Sequence, residues 1–505
     1  MSRFGVCYFG RNKRAINERL NISGGGLPVR ILEAGLPLSQ FRYDMLREIP
    51  LDGRITRDPL QQSSRSRRGL FITHSVRNKA ARPKLCHVTG VARDGELGEQ
   101  KRCAFAGDSS SGVTSSHPGS KTIWVVGDIF MDVQTKVQEL PAAWGTDTLA
   151  EDIEVLPGGS AANTARHLHS LLKGIDDHCE NDGVDVNFVA SLGDDHMGKA
   201  FLSNLDGEGL DQTFIQVFAD TNTSTCIVLS GPEDRSFISS GSSTKLLRLE
   251  DTEGRRQQSV VRRMVEQIRG ELQDEENVGE HHILLHGFFN MTGLHDVQLV
   301  DALQDLKQTA ASKQKTLTLS LGPQFDGTGK WTGEGEILRS LLPLCDFLLL
   351  NTDELDCIRA ANETQICLPD SEETTCDGVS IPSRLGPGHV IETRGVHGSK
   401  IYLRDDPRSN ASFSVVTVEL ADGCGLIPKD KLVDTTGAGD SFIAGFFYNF
   451  VTSKSDSTTG CDYCAPQSFE PEFLAECCVS GHRVAAWCVQ QQGACRLPVT
   501  RKNLV

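Results

Sequence analysis

"VDTTGAGDSF" (residues 433–442) extends the strand-like "KLV" and leads into the apolar run "IAGFF". A strand, a glycine turn and a helix in that order are the unit from which α/β folds are built. Gly437, Ala438 and Gly439 then fall at a helix N-terminus. Small residues there let backbone N–H groups converge, and the helix dipole favours an anion. Asp440 sits in the first turn, beside that anion site. A carboxylate is a poor neighbour for a phosphate unless it has another task, such as accepting the proton of an attacking hydroxyl. A plain turn followed by a helix-capping Asp fits these ten residues equally well.

The texture around this stretch is the same. "TIWVV" (122–126), "VNFVASLG" (186–193), "HILLHG" (282–287), "TLTLSL" (316–321), "FLLLN" (347–351) and "HVIETRG" (389–395) read as buried strands. Helix-like segments such as 160–172 and 198–209 separate them. Near-continuous apolar strands alternating with helices predict a mainly parallel sheet covered on both faces. Residues 151–159 and 223–240 break the rhythm and read as antiparallel strands, the second a hairpin turning at "GPED". Such a small β element is expected to form a lid over a cleft.

The 505 residues carry a net charge of -16, unevenly spread. Residues 1–102 hold 20 Lys/Arg and 9 Asp/Glu, and a Ser/Gly linker follows at 107–120. Residues 1–120 are therefore expected to be a basic, disordered extension, with 121–505 as the folded domain. The acidic body is not suited to nonspecific nucleic-acid binding, and no run of 18 apolar residues suggests a membrane span. The 16 irregularly spaced cysteines fit free thiols in a reducing compartment. "CDYC" (461–464) has zinc-like spacing, but no second Cys-x-x-Cys accompanies it. A cytoplasmic location is expected; the acid-free, Arg-containing residues 1–17 leave a mitochondrial or plastid address as the alternative.

Neither Gly-x4-Gly-Lys-Ser/Thr nor a kinase glycine loop with His-Arg-Asp occurs. Instead six segments, in order, resemble the ribokinase-like (phosphofructokinase-B type) carbohydrate kinase family. They are "VVGDIFMDV", "PGGSAANTA", "SLGDDHMGKAFLSNLDGEGLD", "LLPLCDFLLLNTDEL", "ETRGVHGS" and "DTTGAGDSF", with "GACRLP" as a closing turn. The resemblance implies an α/β three-layer sandwich with a small β lid and ATP-dependent phosphorylation of a hydroxyl of a small sugar. Ribose or fructose leads, a nucleoside is the alternative acceptor, and a noncatalytic sugar- or nucleotide-binding protein of the same fold is the rival reading.

Roles follow by resemblance. Asp440 would be the general base, and Gly437, Ala438 and Gly439 the anion hole. Asp132, Gly158, Gly159 and Asn163 would bind substrate, although a solvent-facing strand-end carboxylate also fits Asp132. Asn351 and Glu354 would organise Mg²⁺ through water; helix capping fits Asn351 without requiring Glu354. Thr393, Gly395 and Gly398 would border the nucleotide, with a plain turn as the other reading of Gly398. Asp434 and Thr436 would serve a monovalent cation, K⁺. A lid-to-lid homodimer is the expected assembly. Two departures stand out: "LGPQ" (321–324) replaces an expected Asp-Pro-Asn, leaving Asp326 as a substitute, and His482 stands where Asn is common. His482 is expected to be a helix-surface or packing residue rather than a catalytic one.

Overall fold

The computed structural model of the protein describes residues 120–504 except 138–144, 146, 148, 151, 174–182, 232–234, 251–257, 325–334, 362–386, 405–412, 421–425 and 454–468. The N-terminal extension, Asp326, the tip of the "GPED" turn and "CDYC" lie outside the described residues.

Strands β1 (Lys121–Gly127), β4 (Val184–Gly193), β5 (Ile215–Phe218), β8 (Glu280–His286), β9 (Leu317–Gly322), β10 (Phe347–Asn351), β11 (His389–Thr393), β12 (Ser399–Arg404) and β13 (Phe413–Val418) form the large sheet. Its order among the described residues is β13-β12-β11-β10-β9-β8-β1-β4-β5. All pairings are parallel except those of β12 with β11 and β13. The antiparallel edge β12–β13 was absent from the sequence reading.

The apolar strands are explained by burial on two sides. In β1, Ile123 and Val125 pack with α1 (Ser160–Leu172), α2 (His196–Glu208), α7 (Ala438–Thr452) and α8 (Pro471–Cys488). Trp124 and Val126 point the other way, to α3 (Val260–Gln273), α4 (Val297–Lys313), α5 (Gly335–Leu341) and α6 (Thr352–Ala361). Polar side chains start several helices: Asp195 accepts from Gly198 N, Ser259 from Val261 N and Asp296 from Gln298 N. Gly209 ends α2 in the left-handed conformation, as its position after the periodic run predicts.

Helix α7 is clamped to the sheet by aromatic contacts. Phe347 of β10 meets Phe446 at 5.7 Å, Phe450 at 5.4 Å and Phe469 at 5.2 Å between ring centroids. Each buried ring contributes about 2–3 kcal/mol, and together they fix where the N-terminus of α7 points.

A second, four-stranded sheet has the order β3-β2-β6-β7, from β2 (Phe130–Lys136), β3 (Ile153–Gly158), β6 (Thr225–Ser230) and β7 (Arg235–Ser240). It contains the two expected β segments and adds β2, which follows β1 after only two residues. The chain leaves the large sheet at Asp128–Ile129, where the strand pairing ends. The β2–β6 pair is parallel, while β2–β3 and β6–β7 are antiparallel. One face of this sheet carries Asp132, Gln134, Cys226, Val228, Arg235 and Phe237 by register. The opposite face aligns Val155, Val133, Ile227 and Ile238 in one row. Val155, Ile227 and Ile238 are exposed.

Candidate functional site

The chain runs outward from β1 through β4 to β5, then returns to β8 on the other side of β1. Strand order thus reverses between β1 and β8, the crevice at which open α/β sheets bind ligands beyond the strands' carboxyl ends. Asp128 follows β1 there and His286 ends β8.

The first turns of α1 and α7 meet over this crevice. Asn163 Nδ2 donates to Asp440 Oδ2 at 2.9 Å, across 277 residues of sequence. Thr164 Oγ1 donates to the Asp440 carbonyl at 3.0 Å. His286 Nε2 lies 3.2 Å from Asp440 Oδ1. Burial alone would lower the His286 pKa, but the hydrogen bond and charge of Asp440, with Asp128 and Glu354, raise it. Asn163 Oδ1 and His286 Nδ1 are buried with no partner among the described residues. The Asn163 atom belongs to the amide that holds Asp440 and marks a place for a hydrogen-bonding ligand, whereas His286 Nδ1 packs against Gly322 on the far side of the ring from Asp440.

Glycines in the α7 turn differ in what they do. Gly437 has φ +74°, and a Cβ there would lie 2.6 Å from Ala494 Cβ, so the fold requires glycine. A Cβ on Gly439 would meet nothing within 4 Å, so no packing need accounts for it.

Asp132 lies on the site-facing side of the small sheet. Its pKa is raised to about 7, first by burial and then by the charges of Asp128, Asp440 and Asp434. Glycine at 158 is dictated by it, since a Cβ would lie 2.2 Å from Asp132 Oδ2. Gly159 precedes α1 and accepts from Asn163 N at 2.8 Å, which orients the Asn163 turn. Asp128, overlooked in the sequence, accepts from Ala161 N at 2.9 Å and Asn290 Nδ2 at 2.8 Å. Burial raises its pKa to about 6, offset in part by Ala161 N–H, the His286 charge and Asn290. It ties β1 to the start of α1, and so to Asn163.

Asp434, expected to serve a cation, is already fully engaged. Its Oδ1 accepts from Thr436 N at 2.9 Å, Thr436 Oγ1 at 2.7 Å and Arg235 Nη1 at 3.0 Å. Its Oδ2 accepts from Gln134 Nε2 at 2.9 Å and Gly493 N at 3.0 Å. Burial opposes ionisation, but the Thr436, Gly493 and Gln134 hydrogen bonds hold its pKa below the usual carboxylate range. Arg235 also donates to Thr436 Oγ1, and through Nη2 to Thr435 Oγ1 at 2.7 Å.

Asn351 and Glu354 form a reciprocal capping box at the start of α6. Glu354 N donates to Asn351 Oδ1, and Asn351 N donates to Glu354 Oε2, both at 2.9 Å. Capping therefore uses both residues, not Asn351 alone. Among the described residues no cluster of three His, Cys, Asp or Glu could enclose a metal. One carboxylate and one amide at a strand's carboxyl end fit Mg²⁺, which keeps most of its water and takes further oxygens from phosphates.

Thr393, Gly395 and Gly398 lie where β11 turns into β12, four strands from β1, or about 19 Å along the sheet edge. They are not part of the Asp440 cluster. A Cβ on Gly398 would sit 2.0 Å from Val418 O, which accounts for that glycine by the turn itself. His482 is buried, 3.1 Å from Ser399 Oγ and edge-on to Phe442. Of the two readings, surface or packing, burial selects packing.

The "LGPQ" departure has a neighbour that explains it. Gly322 pairs with His286, and a Cβ there would lie 2.2 Å from His286 Nδ1. The imidazole fills the space that a side chain on β9 would need. Gln324 Oε1 accepts from Ser160 Oγ at the start of α1. A histidine closing the apolar "HILLHG" marks a polar strand end but not the acid that it faces.

The family described as pfkB family carbohydrate kinase matches residues 120–501. A ribokinase from Bacillus subtilis is 28% identical over 118 residues, 23% of this chain and 36% of that protein. An adenosine kinase from Schizophyllum commune is 22% identical over 69% of this chain and 83% of its own length. The solved structure of a ribokinase from Giardia lamblia superposes with a TM-score of 0.53 at 16% identity, covering 76% of this chain and 99% of that one. That likeness establishes the fold. No helix among the described residues is long and apolar enough to cross a membrane.

Proposed function

The chain belongs to the pfkB family of carbohydrate kinases, and from that premise we propose that it transfers the γ-phosphoryl group of ATP to a hydroxyl of a small sugar. The observation that carries this is the Asn163–Asp440 hydrogen bond. It places one carboxylate between an amide of the "GGSAAN" turn and the glycine turn opening α7. Asp440 takes the proton of the attacking hydroxyl while its oxygen bonds to phosphorus and the bond to the leaving ADP oxygen breaks. The backbone amides of Gly437 and Gly439 would stabilise negative charge on the transferring group, whereas Ala438 N donates to Thr435 O at 3.3 Å within the turn. His286 and Asn163 hold the Asp440 carboxylate in place. Asp132 accepts from substrate hydroxyls, and the orphaned Asn163 Oδ1 receives another. Asn351 and Glu354 would hold hydrated Mg²⁺, which when bound neutralises phosphate charge. Nucleotide would extend along the sheet edge toward Thr393 and Gly395.

The small sheet then acts as a lid whose polar face closes on the acceptor, keeping water from ATP. Its opposite row, Val155, Val133, Ile227 and Ile238, suits a second lid of the same kind, supporting a homodimer. A charge at Ile227 (Ile227→Glu) is expected to yield monomers by light scattering; an unchanged oligomer would remove the lid from the interface.

A nucleoside is the second reading of the acceptor. Phe237 is exposed on the Asp132 face of the small sheet, where an aromatic ring could stack on a base. Purified protein with ATP, Mg²⁺ and a panel of sugars and nucleosides decides between them through ADP release. Nucleotide binding without ADP release for any acceptor would favour a noncatalytic binding protein.

A further inference from the structure

We propose that Arg235 is the built-in cation of the anion-hole turn, so that this protein uses a lid-borne guanidinium where a bound monovalent metal ion would otherwise stand. The observation is a four-part clasp: the guanidinium contacts Asp434 Oδ1, Thr435 Oγ1 and Thr436 Oγ1 in the three residues before Gly437. Phe237 lies beneath it, 5.8 Å from ring centroid to guanidinium carbon. The side chain of Asp434 is 8% exposed and that of Arg235 is 24% exposed, so the pair is well shielded from solvent.

A metal ion at this place would need the Asp434 carboxylate and oxygens around Thr436. Both Asp434 oxygens are already accepting, from five donors in all, and Thr436 Oγ1 faces the guanidinium. A second cation would have to displace Arg235 or sit against it, and like charges at such separation repel. The donor set therefore does not fit K⁺ while Arg235 is present. Arginine is suited to the substitution because it is always charged, and its planar fork reaches several oxygens at once.

The consequence reaches beyond charge. Arg235 and Gln134 belong to strands β7 and β2 of the small sheet, whereas Asp434 belongs to the turn that opens α7. The clasp joins lid and anion-hole turn directly, so opening the lid withdraws the positive charge from the phosphate side. A soluble ion could remain bound with the lid open; a side chain on the lid cannot.

The catalytic part of this inference rests on the kinase reading above, so the first test does not use turnover. Thermal melts of the full chain are compared in KCl, NaCl and choline chloride at matched ionic strength. Wild type is expected to melt at the same temperature in all three. Arg235→Ala is expected to melt lower in choline chloride and to recover when K⁺, or guanidinium at low millimolar concentration, is added. Arg235→Lys, which keeps the charge, should fall between. If an acceptor is found, wild-type kcat should vary less than about twofold between the salts, and Arg235→Ala should lose about tenfold or more, recoverable by either cation. Specific stabilisation of wild type by K⁺ over choline would overturn the proposal. So would an Arg235→Ala protein that melts like wild type, or one whose loss neither cation repairs. Failure of every acceptor would remove the kinase reading while leaving the melt series to decide this one.

Discussion

Asp434 and Asp440 lie six residues apart on one turn and live in opposite surroundings. Asp434 accepts from five donors, both oxygens saturated, one donor a guanidinium. Asp440 is held on each oxygen by one partner, Asn163 and His286, at the crevice. A carboxylate so thoroughly satisfied has no capacity left to take a proton, and serves to hold the turn. One with a single contact per oxygen keeps lone pairs for an incoming hydroxyl. The difference between the two acids is set by the number of donors around each, not by the residue type.

The largest effect expected breaks the reactive side. Asp440→Asn should reduce kcat by about 10³-fold, within the range for a general base, with nucleotide affinity by calorimetry changed little. Near-normal turnover would end the assignment. Next come the two glycines. Gly439→Ala should keep its melting temperature but lose about tenfold or more in turnover, because its Cβ enters the space beside the amides. Gly437→Ala should instead lose about 1–3 kcal/mol of stability in urea titrations, from the strained φ and the contact with Ala494. Equal effects on the two would erase the distinction.

Breaking the structural acid, Asp434→Ala should cost about 1–3 kcal/mol by leaving Gln134, Gly493 N and Arg235 without their acceptor. Any loss of turnover should accompany loss of stability, unlike Asp440→Asn. The smallest effect concerns Asp132. Its folded pKa, about 7, exceeds the unfolded value near 4, so the folded state binds more protons between them. Stability from this group is present below about pH 4 and is lost as pH rises through about 7. Asp132→Asn removes that loss, so the ligand-free variant should melt a few degrees above wild type at about pH 8 and much closer to it at about pH 5. A pH-independent difference would sink the account of Asp132 as a desolvated acid.

Much of the large sheet was legible because its strands are buried on both faces and its helices begin and end with clear signals. The boundaries 160–172 and 347–351 emerge as read. β2 was hidden because "GDIFMDV" continues the apolar run of β1, and nothing local announces a change of sheet at Asp128. Asn163 of the "GGSAAN" turn and Asp440 of the "DTTGAGD" turn meet in space, a contact that neither segment announces. Asp128, His286 and Arg235 were invisible because their partners lie 33, 154 and 199 residues away. A lone histidine at a strand end carries no sign of which acid it will face.

The sequence by itself determined the alternation of strands and helices, the glycine turn at a helix start and the presence of an acid in its first turn. These are local properties, fixed by side-chain period, backbone freedom and capping within a few residues. Only the tertiary structure decided which acid is saturated with donors and which is left with one partner per oxygen, because that depends on groups brought from β2, β7, β8 and α1. Hydrogen bonds and charge act over a few ångströms of space, and the chain separation of the groups they join leaves no local trace.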